Sequence, residues 1–535
     1  MLLSLFKNSL GSLAIYHLSG RRILPRREEE PEYEIPRKYL KVSDESSLSN
    51  QLVLLEQFIV VEWEGPSDPD NPKNWSKADK FLVSAQVAFL TMTSVMGSSL
   101  YSPSIAFLME DLNISHTLAE LPLALYVIGF AVGPMVLAPM SENPSIGRAP
   151  IFIVSHFLYF ILQIPQSWGA GTRSFPALAV LRFFTGVLAS PALAVGSATC
   201  GDIMNLPYLP MAIVAWSAAS IAGPCIGPVI GAALTDASQS WEWCFRFQTI
   251  VGMVSFVICS FFLPETYAPT ILHRKAQRLR AVTGNKNLVT QYELDHPPTS
   301  FVQAAKTTLW RPIILSISEP MVLLINLYTS LLYTIMFLWF TAFPLVFENL
   351  YHFTLVELGT SYLGVLVGVL LGATIFIVII YHVYTKRHLG EKKATITPEV
   401  FMPAAIYGSI WIPTGIFIFA WTSKKSVHWM VPIIGGFIFS HGTFIVFQTL
   451  FNYLATSFPR YVASAFASNA LSRSLMAGVA PLFGTFMFDN LRTANFPVGW
   501  GASILGFLTA AMICIPILFY INGPKLRGRS KFAGF

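Results

Sequence analysis

Two arginines stand where an arginine costs most. Arg182 falls about nine residues into the fourth long apolar stretch, roughly 13 Å along a helix, and Arg473 lies about twelve residues into the eleventh. Neither side chain reaches a membrane surface comfortably, and charges at that depth mark ion or substrate paths by default. An arginine does not release its proton at physiological pH, so a part for Arg182 in proton movement must run through a neighbouring titratable group or water. The plain alternative for Arg182, a guanidinium pinned by carbonyls of adjoining helices, stays open. For Arg473 a structural role is the reading.

A second constellation is polar and aromatic. Asn326, Ser330, Tyr333 and Phe337 recur at the spacing of one helix face in the seventh stretch, as do His441, Phe444, Gln448 and Asn452 in the tenth. Polar groups facing hydrocarbon are costly, so both faces should turn inward and line a cavity for flat, apolar compounds with a few hydrogen-bonding groups. For each residue taken singly, a polar contact between helices is the alternative. The ten histidines are dispersed and the five cysteines stand singly, so no metal-ligand or disulfide pattern emerges, and the cysteines read as packing residues. No Gly-Lys dipeptide occurs, which removes the phosphate-binding loop of an ATP-driven pump. Neither enzymatic activity nor a cofactor is expected; an ion gradient would supply the energy for transport.

The elements that must position these side chains are transmembrane helices. Of 535 residues, 53% are hydrophobic and 12% charged, with a mean hydropathy of +0.56, which excludes an ordinary soluble enzyme and predicts an all-α polytopic membrane protein. The net charge of +6 does not point to nucleic acid, because the basic residues lie between apolar stretches, where they set topology. Twelve stretches are long enough to cross a bilayer, near 82–104, 119–139, 149–169, 174–198, 208–233, 243–263, 319–343, 357–383, 400–421, 429–453, 461–486 and 499–521. They fall six and six into two halves, giving a polar front end over 1–80, a first half over 81–263, a central cytoplasmic loop over 264–312, a second half over 313–521 and a tail over 522–535. Residues 1–18 carry apolar positions at helical spacing and are expected to lie on the membrane surface, and the Pro- and Asp-rich run before Trp75 reads as a linker. Lys and Arg concentrate in alternate connections, which places both termini in the cytoplasm. Asn113-Ile114-Ser115 is then outside as a glycosylation candidate, while Asn74-Trp75-Ser76 is a chance match. Glu120, in the outer turn of the second stretch, reads as solvated, and Glu319 as a cap for the seventh.

Within the fifth stretch, Ala219, Gly223, Gly227 and Gly231 recur every fourth residue and form a smooth face for close helix approach, with Pro224 and Pro228 beside it, each freeing a carbonyl and favouring a bend. This G-P-x-x-G-P-x-x-G pattern resembles the antiporter signature of major facilitator drug/proton exporters, with Ala219 where Gly is often found. Leu181-Arg182-Phe183-Phe184-Thr185-Gly186 is similar to their fourth-helix motif, which implies that Arg182 takes part in proton coupling. The run Pro139 to Arg148 resembles their cytoplasmic loop motif, with Glu142 where many have Asp and one basic residue, Arg148, after Gly147; the resemblance implies a gating latch, for which Asp202 is a candidate partner by position. Leu263-Pro264-Glu265-Thr266, His352 to Gly359 and Asn522 to Arg527 extend the likeness over nearly the whole chain, to the twelve-span fungal drug/proton antiporters that confer fluconazole and benomyl resistance on yeasts. The resemblance implies a monomer in the plasma membrane that exports small-molecule drugs in exchange for protons. A nutrient-importing facilitator or a non-transporting nutrient sensor would share the fold; the fifth-helix signature argues against the first, the short tails against the second.

Overall fold

The computed structural model describes residues 58–295, 301–389, 397–458 and 462–530, with nine further positions between residues 9 and 39. The surface helix expected over 1–18 therefore lies largely outside the described residues. The bundle is built from α1 (Lys77–Met96), α2 (His116–Ser141), α3 (Arg148–Arg173), α4 (Phe175–Ile203), α5 (Leu209–Ser238), α6 (Glu242–Phe262), α7 (Pro320–Glu348), α8 (Leu355–Thr385), α9 (Pro398–Thr422), α10 (Met430–Ser457), α11 (Ser464–Leu491) and α12 (Gly499–Arg529). Among the described residues eleven helices are long and apolar enough to cross a membrane, α1 being the exception. Its N-terminus is set by Ser76, whose hydroxyl accepts from the Asp79 amide at 3.1 Å. Its polar residues are spent inside the bundle: Thr91 donates to the Ala192 carbonyl and accepts from the Trp216 indole, Thr93 meets Ser255, and Ser94 meets His156. A helix surrounded by helices need not be as apolar as one facing lipid.

The stretch expected as a central loop is folded. It carries a helix, Ala268–Thr283, ending at Gly284 in the left-handed region, and a second helix, Phe301–Ser318. Between them the strand β2 (Leu288–Thr290) pairs in parallel with β1 (Ile59–Val61), Ile59 opposite Leu288. The segment read as a linker is therefore docked. Val61, Ala276, Leu279, Leu288 and Tyr39 form a small core, and Lys275, 2% exposed, donates to Glu64 at 3.0 Å. At the other end of the chain α12 runs into the expected tail, where Arg527 ion-pairs with Glu399. All five cysteines are free; four are buried and Cys514 is exposed.

Helix packing repeats with a period of six. In the first half α1 packs on α5, α2 on α4, and α3 on α4 and α6; in the second, α7 packs on α11, α8 on α10, and α9 on α10 and α12. Two pairs cross between halves, α5 with α8 and α2 with α11, again related by a step of six. This is the signature of two parallel six-helix halves.

α5 touches both halves. A Cβ at Gly223 would lie 2.5 Å from the Met92 carbonyl, and at Gly227 and Gly231 it would collide with Ser99 and the Leu100 carbonyl, so the glycine face lies backbone against backbone on α1 and the turn that follows it. Ala219, one turn earlier, is half-buried. The helix continues through Pro224 and Pro228. Beyond the glycine face, Gly359 of α8 abuts the Pro228 carbonyl and Ala232, where its own Cβ would come within 2.8 and 2.7 Å. Gly227→Val should force α5 off α1 at a cost of about 1–3 kcal/mol. We expect transport to fall while membrane delivery persists; wild-type efflux from a delivered mutant would show that the contact is not required.

Candidate functional site

A cavity of about 380 Å³ lies between the halves. Its walls are largely apolar, with Val95 of α1, Pro134 and Ala138 of α2, Leu193 of α4, Trp216, Ile221 and Pro224 of α5, Met336 of α7, Phe447 and Phe451 of α10 and Phe466 of α11. Ser217, Ser220, Tyr333, Gln448, Asn452, Asn469 and Arg473 supply the polar lining. The cavity reaches from mid-bundle to the end that carries Glu142 and Arg148. At the opposite end the halves meet: Gly478 of α11 sits on α2 at Ala124 and Ile128, Gly359 sits on α5, and Thr341 of α7 donates to Glu120 of α2 at 3.4 Å.

Of the eight cavity residues expected from the sequence, Tyr333, Gln448 and Asn452 line this space and the other five do not. Asn326 makes the alternative, interhelical contact: its amide donates to Ser316 and Ser468 and its oxygen accepts from Asn469 at 3.0 Å. Ser330 is fully buried, with its hydroxyl unpartnered. Phe337 packs edge-on to Tyr333 and Phe340, Phe444 is wholly enclosed, and the His441 ring nitrogen meets the Tyr407 hydroxyl at 3.3 Å. The physical reasons are depth and cover by a neighbouring helix. Helical spacing assigns residues to a face, but each set of four is spread over eleven positions, about 16 Å along the axis; Phe337, His441 and Phe444 fall beyond the stretch of their helices that lines the cavity, and Asn326 is turned to Ser468 and Asn469 of α11.

Arg182 lies outside the cavity, 1% exposed and enclosed by the first half. One terminal nitrogen donates to the Gly97 carbonyl at 2.6 Å and Nε to that of Pro122 at 3.4 Å. The rings of Tyr126, Tyr101 and Phe245 lie 4.2, 5.3 and 5.4 Å from its guanidinium carbon. Carbonyl dipoles and ring faces, rather than a carboxylate, hold the charge. Glu120, read as solvated, is 4% exposed, because α7 covers it through Thr341; His116 stands 3.7 Å away. Tyr101 stands between the two charges, its ring beside Arg182 and its hydroxyl donating to the carbonyl of Ala119, next to Glu120. Glu319 is buried and makes no side-chain cap bond to α7.

The loop from Glu142 to Arg148 fastens one half together. Arg148 donates to Asp202 at 2.5 Å and to Ser141 at 3.2 Å, and lies over the Tyr267 ring. Gly147 takes φ 87°, and a Cβ there would strike the Glu265 carboxylate. That carboxylate accepts the amides of Arg148, Ala149, Thr266 and Tyr267, so it caps the start of α3 and the turn after α6 together. Glu142 stays out of this network and lines the cavity; burial pushes its carboxyl up from the ordinary range, with Arg148 opposing. Asn113, the glycosylation candidate, is exposed at the end of the short helix Ile105–Leu112 in a left-handed conformation. Sequence reasoning missed Glu265 as the hub, Glu120 as a buried group, and Arg473 as part of the cavity wall; the depth of Arg473 was the one signal present.

Known proteins match this arrangement. The sequence profile of the Major Facilitator Superfamily covers residues 87–481. The chain is 44% identical to the cycloheximide resistance protein of Candida maltosa, over 98% of this chain and 99% of that one. It is 37% identical to fluconazole resistance protein 1 of Saccharomyces cerevisiae (95% and 92%) and 41% identical to multidrug transporter FLR1 of Candida glabrata (88% and 83%). In architecture it is similar to the proton:xylose symporter XylE, with a TM-score of 0.56 at 14% identity over 83% of this chain and 97% of that one. Full-length similarity to these transporters, a bundle repeating after six helices and a cavity between its halves lead to one assignment: the chain belongs to the Major Facilitator Superfamily.

Proposed function

We propose that this chain exports chemically varied drugs and other apolar toxicants across the plasma membrane in exchange for protons. The observation that carries the reading is the cavity, apolar with a few polar groups, reaching one end of the bundle while the other end is closed. If the basic connections are cytoplasmic, as the distribution of Lys and Arg favours, the cavity faces the cell interior and loads from there. The names of relatives at 37–44% identity, for resistance to cycloheximide and fluconazole, support drugs as cargo. Antiport requires that protonation and drug binding favour opposite states of one bundle. Arg182, charged and fully enclosed in the first half, lowers the proton affinity of whatever titrates near it, and Glu120 with Tyr101 offers a route to such a group. The Arg148, Asp202 and Glu265 network ties α2, α3, α4 and the end of α6 into one body that can rock against the second half. The direct test is accumulation of a fluorescent dye in a transporter-depleted yeast, with and without this chain and a protonophore; export that survives collapse of the proton gradient would refute the coupling.

Three further outcomes are expected. Arg182→Ala should abolish uphill efflux and Arg182→Lys restore part of it, because an ammonium keeps the charge but loses the planar fork; drug binding should survive better than transport in both. Uphill movement by Arg182→Ala in vesicles under a proton gradient would make Arg182 structural. Asp202→Asn leaves the Arg148 guanidinium buried without its ion partner, at a cost of up to about 3–5 kcal/mol. Thermal unfolding of the purified protein should therefore drop while ligand affinity changes little. Tyr333→Ala and Gln448→Ala should impair different compounds, each lost contact being worth about 1–3 kcal/mol to the ligands that use it; an equal loss across many compounds would assign both residues to folding or gating.

A further inference from the structure

Arg473 differs from Arg182 in what satisfies it. Its guanidinium carbon lies 4.7 Å from the Tyr333 ring and 5.7 and 5.8 Å from those of Phe451 and Phe447. The described residues give it no hydrogen bond and no carboxylate, and its Nε is buried without a partner. Rings can cover the faces of a guanidinium, but its donors point outward in the plane, and among the described residues none accepts from the buried Nε. Arg473 lines the cavity. Of the other charged residues in the wall, Arg148 is engaged by Asp202 and Glu142 belongs to the opposite half, in the loop that Arg148 closes. In the same cavity lining, Gln448 also keeps a buried carbonyl oxygen without a donor among the described residues.

A half-buried cation with an unpartnered buried donor is costly unless something arrives to pair with it. A carboxylate entering the cavity would meet a fixed fork suited to two parallel N–H···O bonds, while its apolar body lay on Phe447, Phe451 and Met336. We propose that Arg473 is the anion-recognising group of this cavity and that amphipathic organic acids are among the compounds it takes up. The proposal rests on the cavity being the transport site.

The test is equilibrium binding to the purified full chain in a nonionic detergent, with pyrenebutyrate and its neutral methyl ester as matched fluorescent probes. The wild type should bind the acid about tenfold more tightly than the ester, a preference that weakens as salt rises. Arg473→Gln should remove the preference, lowering the acid's affinity far more than the ester's, and Arg473→Lys should keep part of it. A wild type that exports dye from cells yet binds acid and ester equally would overturn the proposal and leave drug export standing, and this needs no variant to fold. Equal loss of both probes in Arg473→Gln would make the arginine structural. Displacement of pyrenebutyrate by phosphatidylserine but by no free organic acid would assign the site to lipid headgroups and overturn the proposal as well. If neither probe binds at all, the transport-site reading of the cavity falls with it.

Discussion

The contact on which the bundle depends is the backbone approach of α5 to α1. Three glycines bring the helices so close that a single methyl group would strike a carbonyl or hydroxyl. Because lipid is as apolar as leucine, no hydrophobic force draws helices together within a membrane, and close van der Waals contact must do that work. The contact also decides which way the rest of α5 looks. With one face pressed on α1, Pro224 opens onto the cavity and the Pro228 carbonyl meets Gly359 of the second half. One helix thus belongs to the core of its own half, to the wall of the cavity and to the closed end of the interface.

The ionised groups that fasten the first half are paired within it, while the cavity between the halves keeps polar atoms without a partner among the described residues. Arg182 has its carbonyls, Arg148 has Asp202, and Glu265 collects four amides. In the cavity wall, Arg473 Nε, Gln448 Oε1 and Ser217 Oγ have no partner among the described residues. Strong bonds within halves and few between them suit bodies that must move as units, since a bond across the interface would have to break in every cycle.

The fold was legible because hydrocarbon imposes a length and a composition on every span. Where α1 departed from that composition, the cause was tertiary: Thr91, Thr93 and Ser94 found partners on other helices. The site was legible by face, but not by depth or by which helix covers that face. Tyr333, Gln448 and Asn452 reached the cavity, whereas Asn326 and His441, spaced to share their faces, met neighbours instead. Glu120 looked solvated because nothing nearby in the chain covers it; Thr341, which does, lies 221 positions away. Glu265 acts as a hub through a turn at Gly147 that brings up amides more than a hundred residues earlier.

The pairing of β1 with β2 imposes an order on biosynthesis. Val61 precedes Leu288 by 288 − 61 = 227 positions, so at about 5–20 residues per second a ribosome takes roughly 10–45 s to deliver the second strand after the first. Through that interval the opening segment has no strand to join, and for most of it Glu64 has no Lys275 to pair with. When both arrive, all of α1 to α6 has already left the ribosome and α7 has not. The small sheet thus joins the segment made before the first six helices to the segment made just after them, and both of its strands exist before the second six do.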